Sequence, residues 1–332
     1  ELREIAAITF TEKAAAELRD RVRQKLETTA VDRRALGDAA GADRCDAAID
    51  QLDGAAIGTL HSFAQRILSE NPIEAGLPPR VEILDEVTSE VEFEQRWVTF
   101  RDELFADPAM ERTLLLLFAT GVQPAALRAL AVEFDRNWDL VAERVPETAA
   151  DPPRLMARVE DALAAVDAVV AQAASCTDTS DKLFARLAEI ESFVGRIRAT
   201  HDELDLLDLL STDGPDKPSF RVGNIGAKGR WSIDVSDLKA EVRAAGDGLD
   251  AVIGQVTQAC ARRIGTALRR FTLDAAEVRR TAGQLAFHDL LVLSRTLVRH
   301  PDHGAAIRQR LHDRYRRLLL DEFQDTDPIQ IE

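Results

Sequence analysis

Two adjacent carboxylates, Asp321 and Glu322, directly follow the apolar run Leu318-Leu319-Leu320. A short run of this kind predicts a strand buried on both faces of a parallel sheet. In open parallel sheets, ligands bind beyond the carboxyl ends of the strands, so this pair stands where a reacting group would lie. The first carboxylate can hold magnesium, which is bound through one or two carboxylates plus substrate phosphates. The second can orient an attacking water and take its proton, as phosphoryl transfer to water requires. Asp321 as magnesium holder and Glu322 as general base therefore form a complete chemical proposal. A solvated Asp-Glu pair at a strand end is the plain alternative, and the dipeptide alone does not decide between them.

The elements that would position such a pair are legible at both ends of the chain. Ile5-Ala6-Ala7-Ile8-Thr9 predicts a buried strand, and Thr11 predicts the cap of a helix with core stripe Ala15, Leu18, Val22 and Leu26. Ala55-Ala56-Ile57-Gly58 predicts a second strand, followed by Thr59 and a helical segment from Phe63 to Leu68. Strand–turn–helix units of this kind build a parallel sheet. From about residue 85 to 310 helical periodicity dominates. Leu155, Val159, Leu163 and Val166 share one face, as do Leu183, Leu187 and Ile190, and Leu238, Val242 and Leu249. The expected organisation is an α/β domain in residues 1–84 and 311–332, interrupted by a helical insertion over 85–310. Within that insertion a Gly/Pro-rich loop carries Lys217, Arg221, Lys228 and Arg230 interleaved with Phe220 and Trp231. Arg308, Arg310, Arg314, Arg316 and Arg317 read as a solvated helix face.

The 332 residues are 45% hydrophobic and 30% charged, a globular composition that excludes fibrous and wholly disordered classes. A formal net charge of −16 argues against broad adhesion to nucleic acid or anionic membrane. Any nucleic-acid site must then be a local track on an acidic body. No apolar run reaches the roughly 18 residues that span a bilayer, so no membrane contact is expected. Cys45, Cys176 and Cys260 lie far apart with no C-x-x-C pair, which predicts buried or incidental thiols in a reducing cytoplasm. The chain opens on Glu1 rather than Met, the start expected of a piece from the middle of a larger protein.

Asp-Glu-Phe-Gln-Asp-Thr-Asp-Pro-Ile-Gln, residues 321–330, resembles motif II, the Walker B element, of the UvrD/RecB-like helicases of superfamily 1. Thr9-Phe10-Thr11-Glu12-Lys13-Ala14-Ala15-Ala16-Glu17-Leu18, followed by Arg21, resembles that family's motif Ia, and Thr59-Leu60-His61-Ser62-Phe63 its next DNA-contacting motif. Phe287-His288-Asp289-Leu290 is similar to the Phe-Asp-Asp-Leu that members carry ahead of motif II, with His288 in place of the first Asp. The specific matches cover the two ends and little of the middle. The resemblance implies an incomplete P-loop NTPase (RecA-like) motor domain with a large all-α insertion, using ATP and Mg2+. It implies that Thr9, Phe10, Thr11, His61, Ser62 and Phe63 line a single-strand path, and that Gln324 and Asp325 lie near the nucleotide. A Phe ring can stack on a base, and hydroxyl and N–H groups can hold phosphates. The long stretch between His61 and Asp321 resembles the RecB/AddA-type components of helicase–nuclease complexes, which implies partnership with a second subunit. In that setting the loop from Lys217 to Trp231 could touch duplex or displaced strand; a solvated loop is the alternative.

The implied activity is 3′-to-5′ DNA translocation driven by ATP, in recombination and repair. No G-x-x-x-x-G-K-[ST] phosphate loop occurs in the chain; in the family it precedes motif Ia, so it is expected before Glu1. The isolated chain is accordingly expected neither to hydrolyse ATP nor to unwind DNA. A motor-dead subunit that only binds DNA or a partner, and a helical scaffold, are the rival readings.

Overall fold

The computed structural model describes residues 1–211, 217–321 and 329. In chain order the elements are β1 (Ile5–Thr9), α1 (Glu12–Ala35), α2 (Ala39–Asp50), β2 (Ala56–Thr59), α3 (Leu60–Glu70), β3 (Glu82–Ile83), α4 (Glu86–Ala106), α5 (Pro108–Ala119), α6 (Pro124–Arg136), α7 (Trp138–Arg144), α8 (Leu155–Ala171), α9 (Lys182–Ala199), α10 (Glu203–Leu210), α11 (Val235–Ala282), β4 (Gln284–Leu285), α12 (Phe287–Val298), α13 (Gly304–Arg314) and β5 (Arg317–Leu320). They form two compact units. Residues 1–93 and 274–332 make the first, and residues 94–273 the second. The chain passes between them within α4 and again within the 48-residue helix α11.

The first unit is built on a parallel three-stranded sheet of order β2-β1-β5. Its register sets Thr9 beside Thr59 and Ile8 beside Leu320. The backbone N–H of Asp321 donates to the Ile8 carbonyl at 2.9 Å, carrying the ladder one residue past β5. Ala7, Leu52, Ala55 and Ile57 form one core cluster with Leu18 and Val22 of α1. A larger cluster joins Ala64, Ile67 and Leu68 of α3 to Leu290, Leu293 and Leu297 of α12 and Ile307 of α13. This packing moves the expected boundaries. α12 and α13 are helical, as their periodicity predicted, yet they belong to the sheet unit, which the chain re-enters at Asp274 rather than near 311. Periodicity identifies a helix but not the core it covers.

β5 also departs from expectation. It is a strand, but Leu318, Leu319 and Leu320 are 57%, 58% and 47% exposed: both faces of β5 are uncovered among the described residues, whereas those of β2, the other edge strand, are largely buried. The two-residue strands β3 and β4 pair in parallel and have no counterpart in the sequence reading. Gly283 makes that pairing feasible. Its φ is +71°, and a Cβ there would sit 2.6 Å from the Arg80 carbonyl and 2.5 Å from Pro78.

In the second unit the stripes read from sequence are core. Leu155, Val159, Leu163 and Val166, then Leu183, Leu187 and Ile190, then Leu238, Val242 and Leu249 are all buried. A polar hub closes one end. Arg112 donates through Nε and Nη2 to Glu203 at 2.7 and 2.8 Å, and to the carbonyls of Pro152 and Pro153 at 2.7 and 3.0 Å. The Leu155 N–H donates to the same carboxylate at 2.8 Å. All three cysteines are free, and burial pushes the Cys260 thiol up to about 11. Among the described residues no single helix is long and apolar enough to cross a membrane.

Candidate functional site

The parallel ladder brings the carboxyl ends of β1, β2 and β5 to one edge, and with them three of the sequence motifs. α1 and α3 start directly after β1 and β2, so both present their N-termini at this edge. Each start is capped by a threonine. The Ala14 N–H donates to Thr11 Oγ1 at 3.1 Å, and the Ser62 N–H to Thr59 Oγ1 at 3.2 Å. Helix N-termini offer unpaired N–H groups and a positive dipole end, the chemistry that suits phosphate. The two starts are tied together, since Thr59 Oγ1 donates to Glu12 Oε1 at 2.8 Å. The Arg19 guanidinium adds a second tie, donating to the Ile57 carbonyl at 2.7 Å.

The named residues divide by where their side chains go. Phe10 is 58% exposed beside the α1 start, while Thr9 is 3% exposed and donates its hydroxyl to the Thr11 carbonyl at 3.1 Å. Thr9 shapes the turn that displays Phe10 and Thr11. Ser62 is exposed, and its hydroxyl donates to the Thr59 carbonyl at 2.8 Å. Its close approach requires Gly58, where a Cβ would lie 2.4 Å from Ser62 Oγ. His61 is half-buried, with the ring of Phe287 set edge-on at 5.5 Å between centroids. Burial pushes the His61 imidazole below its ordinary value, His288 lowers it further, and Glu12 opposes the shift. Phe63 instead packs into the α3–α12 core, edge-on to Tyr315 at 5.4 Å.

Asp321 is exposed at the end of β5. Glu322, Gln324 and Asp325 lie outside the described residues. Among the described residues no three His, Cys, Asp or Glu side chains gather as a metal cage. Magnesium that accompanies a nucleotide uses one or two carboxylates and the phosphates themselves, and a single carboxylate at a strand end fits that mode of binding.

One family model, the UvrD/REP helicase N-terminal domain, matches residues 1–332. The chain belongs to that family. The RecB component of the RecBCD enzyme of Escherichia coli strain K12 is 25% identical over 369 residues, an alignment covering 98% of this chain and 28% of that protein. An ATP-dependent helicase/nuclease subunit of Pediococcus pentosaceus is 18% identical over 371 residues, covering 98% of this chain and 29% of the relative. DNA helicase II of Haemophilus influenzae is 38% identical over 81 residues, 24% of this chain and 9% of the relative. The chain thus spans less than a third of the length of these relatives.

In this UvrD/REP helicase domain two residues at the carboxyl edge have no role that the sequence alone assigns. Phe287 is 55% exposed and stands against His61, a position that no periodicity could reveal because it joins elements over two hundred residues apart. Glu12 links the two helix starts across 47 residues of chain; its only signal was its place inside the first motif. The basic loop of the second unit is occupied with its own protein. Lys217 Nζ donates to the Leu210 carbonyl at 2.7 Å and to Asp250 at 2.5 Å, Arg230 pairs with Asp178 at 3.2 Å, and Trp231 is buried. Arg221 and Lys228 are exposed. The arginines after residue 307 are all exposed, as the sequence reading expects, and three of them also pair with carboxylates of the first unit. Arg310 bonds Asn71 and Glu74, Arg314 pairs with Glu70 at 2.6 Å, and Arg316 with Glu4 at 3.3 Å.

Proposed function

We propose that the chain is the part of an ATP-driven DNA helicase that grips single-stranded DNA and supplies the Walker B carboxylates. The observation that carries this reading is the carboxyl edge of the sheet, where two capped helix starts, exposed Phe10, the His61–Phe287 pair and Asp321 converge in a member of the UvrD/REP family. Phosphates lie on the N–H groups of α1 and α3 and on the hydroxyl of Thr11, while the Ser62 hydroxyl, which donates to the Thr59 carbonyl, sets the start of α3; bases stack on Phe10 and on the rim formed by His61 and Phe287. Thr9 and Phe63 act behind this surface, one setting the turn and the other seating α3.

The first unit is one portion of a P-loop NTPase motor domain, and residues 94–273 are its helical insertion. Asp321 would hold Mg2+ with the nucleotide phosphates, and Glu322 would orient and deprotonate the attacking water; the resemblance assigns Gln324 and Asp325 to the same nucleotide site. Magnesium when bound neutralises charge on the transferring phosphoryl group. Likeness over 98% of the chain to two proteins described as subunits, RecB and the helicase/nuclease component of P. pentosaceus, supports a RecB/AddA-type role with a second subunit in recombination and repair; 3′-to-5′ movement is the direction that the motif resemblance implies.

The test is strand-stimulated ATP hydrolysis by the full-length parent, with Glu322→Gln beside it. Stimulated turnover that the substitution abolishes is expected. DNA binding without turnover in the parent would overturn the motor in favour of a protein that only binds.

A further inference from the structure

The residues that hold Phe287 in place form a buried ionic latch outside the proposed strand surface. Asp289, in the first turn of α12, is 2% exposed, and Arg279, in the last turn of α11, is 8% exposed. They meet as a two-point fork: Arg279 Nε donates to Asp289 Oδ2 at 2.8 Å and Nη2 to Oδ1 at 3.1 Å. The same Oδ2 accepts the Ala286 N–H at 2.9 Å. Ala286 is the residue immediately before Phe287, so one carboxylate fixes both the start of α12 and its direction from α11. The neighbouring residue Arg280 anchors α11 again, donating Nη1 to the Gly76 carbonyl at 2.7 Å.

We propose that Arg279 is a positioning residue for single-strand binding, acting through Asp289 to hold Phe287 edge-on to His61. This rests on the functional reading above. A buried ion pair contributes little net stability, because desolvating both charges offsets their attraction. What a planar, two-point pair supplies is orientation. A lysine at 279 keeps the charge opposite Asp289 but is a point donor that cannot reproduce the fork. The start of α12 is then free to turn, and the ring of Phe287 leaves its place beside His61.

The experiment is a double-mutant cycle in the full-length protein, comparing Arg279→Lys, Phe287→Ala and the pair. Single-strand affinity is read by anisotropy, base stacking by the quenching of a 2-aminopurine strand, and folding by thermal melting. Arg279→Lys is expected to weaken binding about tenfold, in the range of one lost base stack, and to lose the quench at saturating strand while melting cooperatively. Added to Phe287→Ala it is expected to weaken binding no further, the signature of two residues acting as one. Additive losses, or no loss from Arg279→Lys where Phe287→Ala has one, overturn the latch and leave the strand-binding reading standing. So does a parent that binds strand with no contribution from Phe287. A parent that binds no single strand overturns both. Asp289→Asn, which keeps an acceptor for Ala286, is read in the same cycle; if it and Arg279→Lys both fail to melt cooperatively, the pair is a folding determinant and the positioning role falls.

Discussion

His61 sits among opposed influences, and their signs fix what pH does to it. Burial and His288 both hold its imidazole below the ordinary value, and Glu12 pulls the other way. Near pH 7 the ring is therefore neutral, suited to stacking rather than to ion pairing. The folded form gives up the proton more readily than the unfolded chain, so this contribution to stability is complete above about 6.5 and is lost as pH falls through the depressed folded value. Replacing His288→Asp exchanges a repelling neighbour for an attracting one. The expected result is an upward move of the His61 titration, followed by NMR of the imidazole protons; an unmoved midpoint would refute the coupling. The two phenylalanines of the first two motifs separate just as cleanly. Phe10→Ala removes an exposed ring, so strand affinity is expected to drop about 5- to 100-fold, the worth of one stack, with melting unchanged. Phe63→Ala opens the α3–α12 core and is expected to cost about 3 kcal/mol of stability, seen by denaturant titration. The motifs assign both rings the same role because a motif records residue type and not the direction in which a side chain leaves the backbone.

At the scale of elements, what was legible followed local rules. β1, β2 and the cap at Thr11 could be read because a short apolar run, a hydroxyl and a helical stripe occur in immediate succession; the cap at Thr59, which starts α3 at Leu60 rather than at Phe63, was not. The α8, α9 and α11 stripes were legible for the same reason. What failed depended on partners far away in the chain. β5 reads as buried since three leucines look alike whether or not other elements cover the strand's faces, and α12 reads as insertion since nothing local says that Leu290 and Leu297 cover α3. The Arg112–Glu203 hub, also invisible in sequence, joins α5, the turn before α8 and α10. Hydrogen bonding from Arg112 first, then from the Leu155 N–H, holds the Glu203 carboxyl below its usual value against the opposing effect of burial. A depressed carboxylate contributes stability above its ordinary range near 4.3 and loses it as pH falls through the folded value. Glu203→Gln is therefore expected to lower the melting temperature at pH 7 and to flatten its decline between about pH 5 and 3. Calorimetry over that range decides it, and an unchanged acid slope would remove Glu203 as the cause.

For the chain as a whole, acidity and the proposed DNA binding are reconciled by locality. A net charge of −16 cannot attract a polyanion at a distance, so affinity must come from short-range contact at helix starts and rings. Such a site releases few counterions. Single-strand affinity at this surface is expected to fall only shallowly with salt, with a slope of about −1 to −3, whereas a broad basic groove making six to ten phosphate contacts gives a much steeper one. Titrations at several salt concentrations distinguish the two. The sheet also has a consequence in time. β1 leaves the ribosome about 310 residues ahead of its neighbour β5, a delay of roughly 15–60 s at about 5–20 residues per second. Residues 94–273 emerge complete in that interval, and their contacts are nearer in sequence, so they can fold first. During synthesis, then, one flank of β1 has no partner for about 15–60 s, and a cell that makes this protein must keep other extended chains away from it.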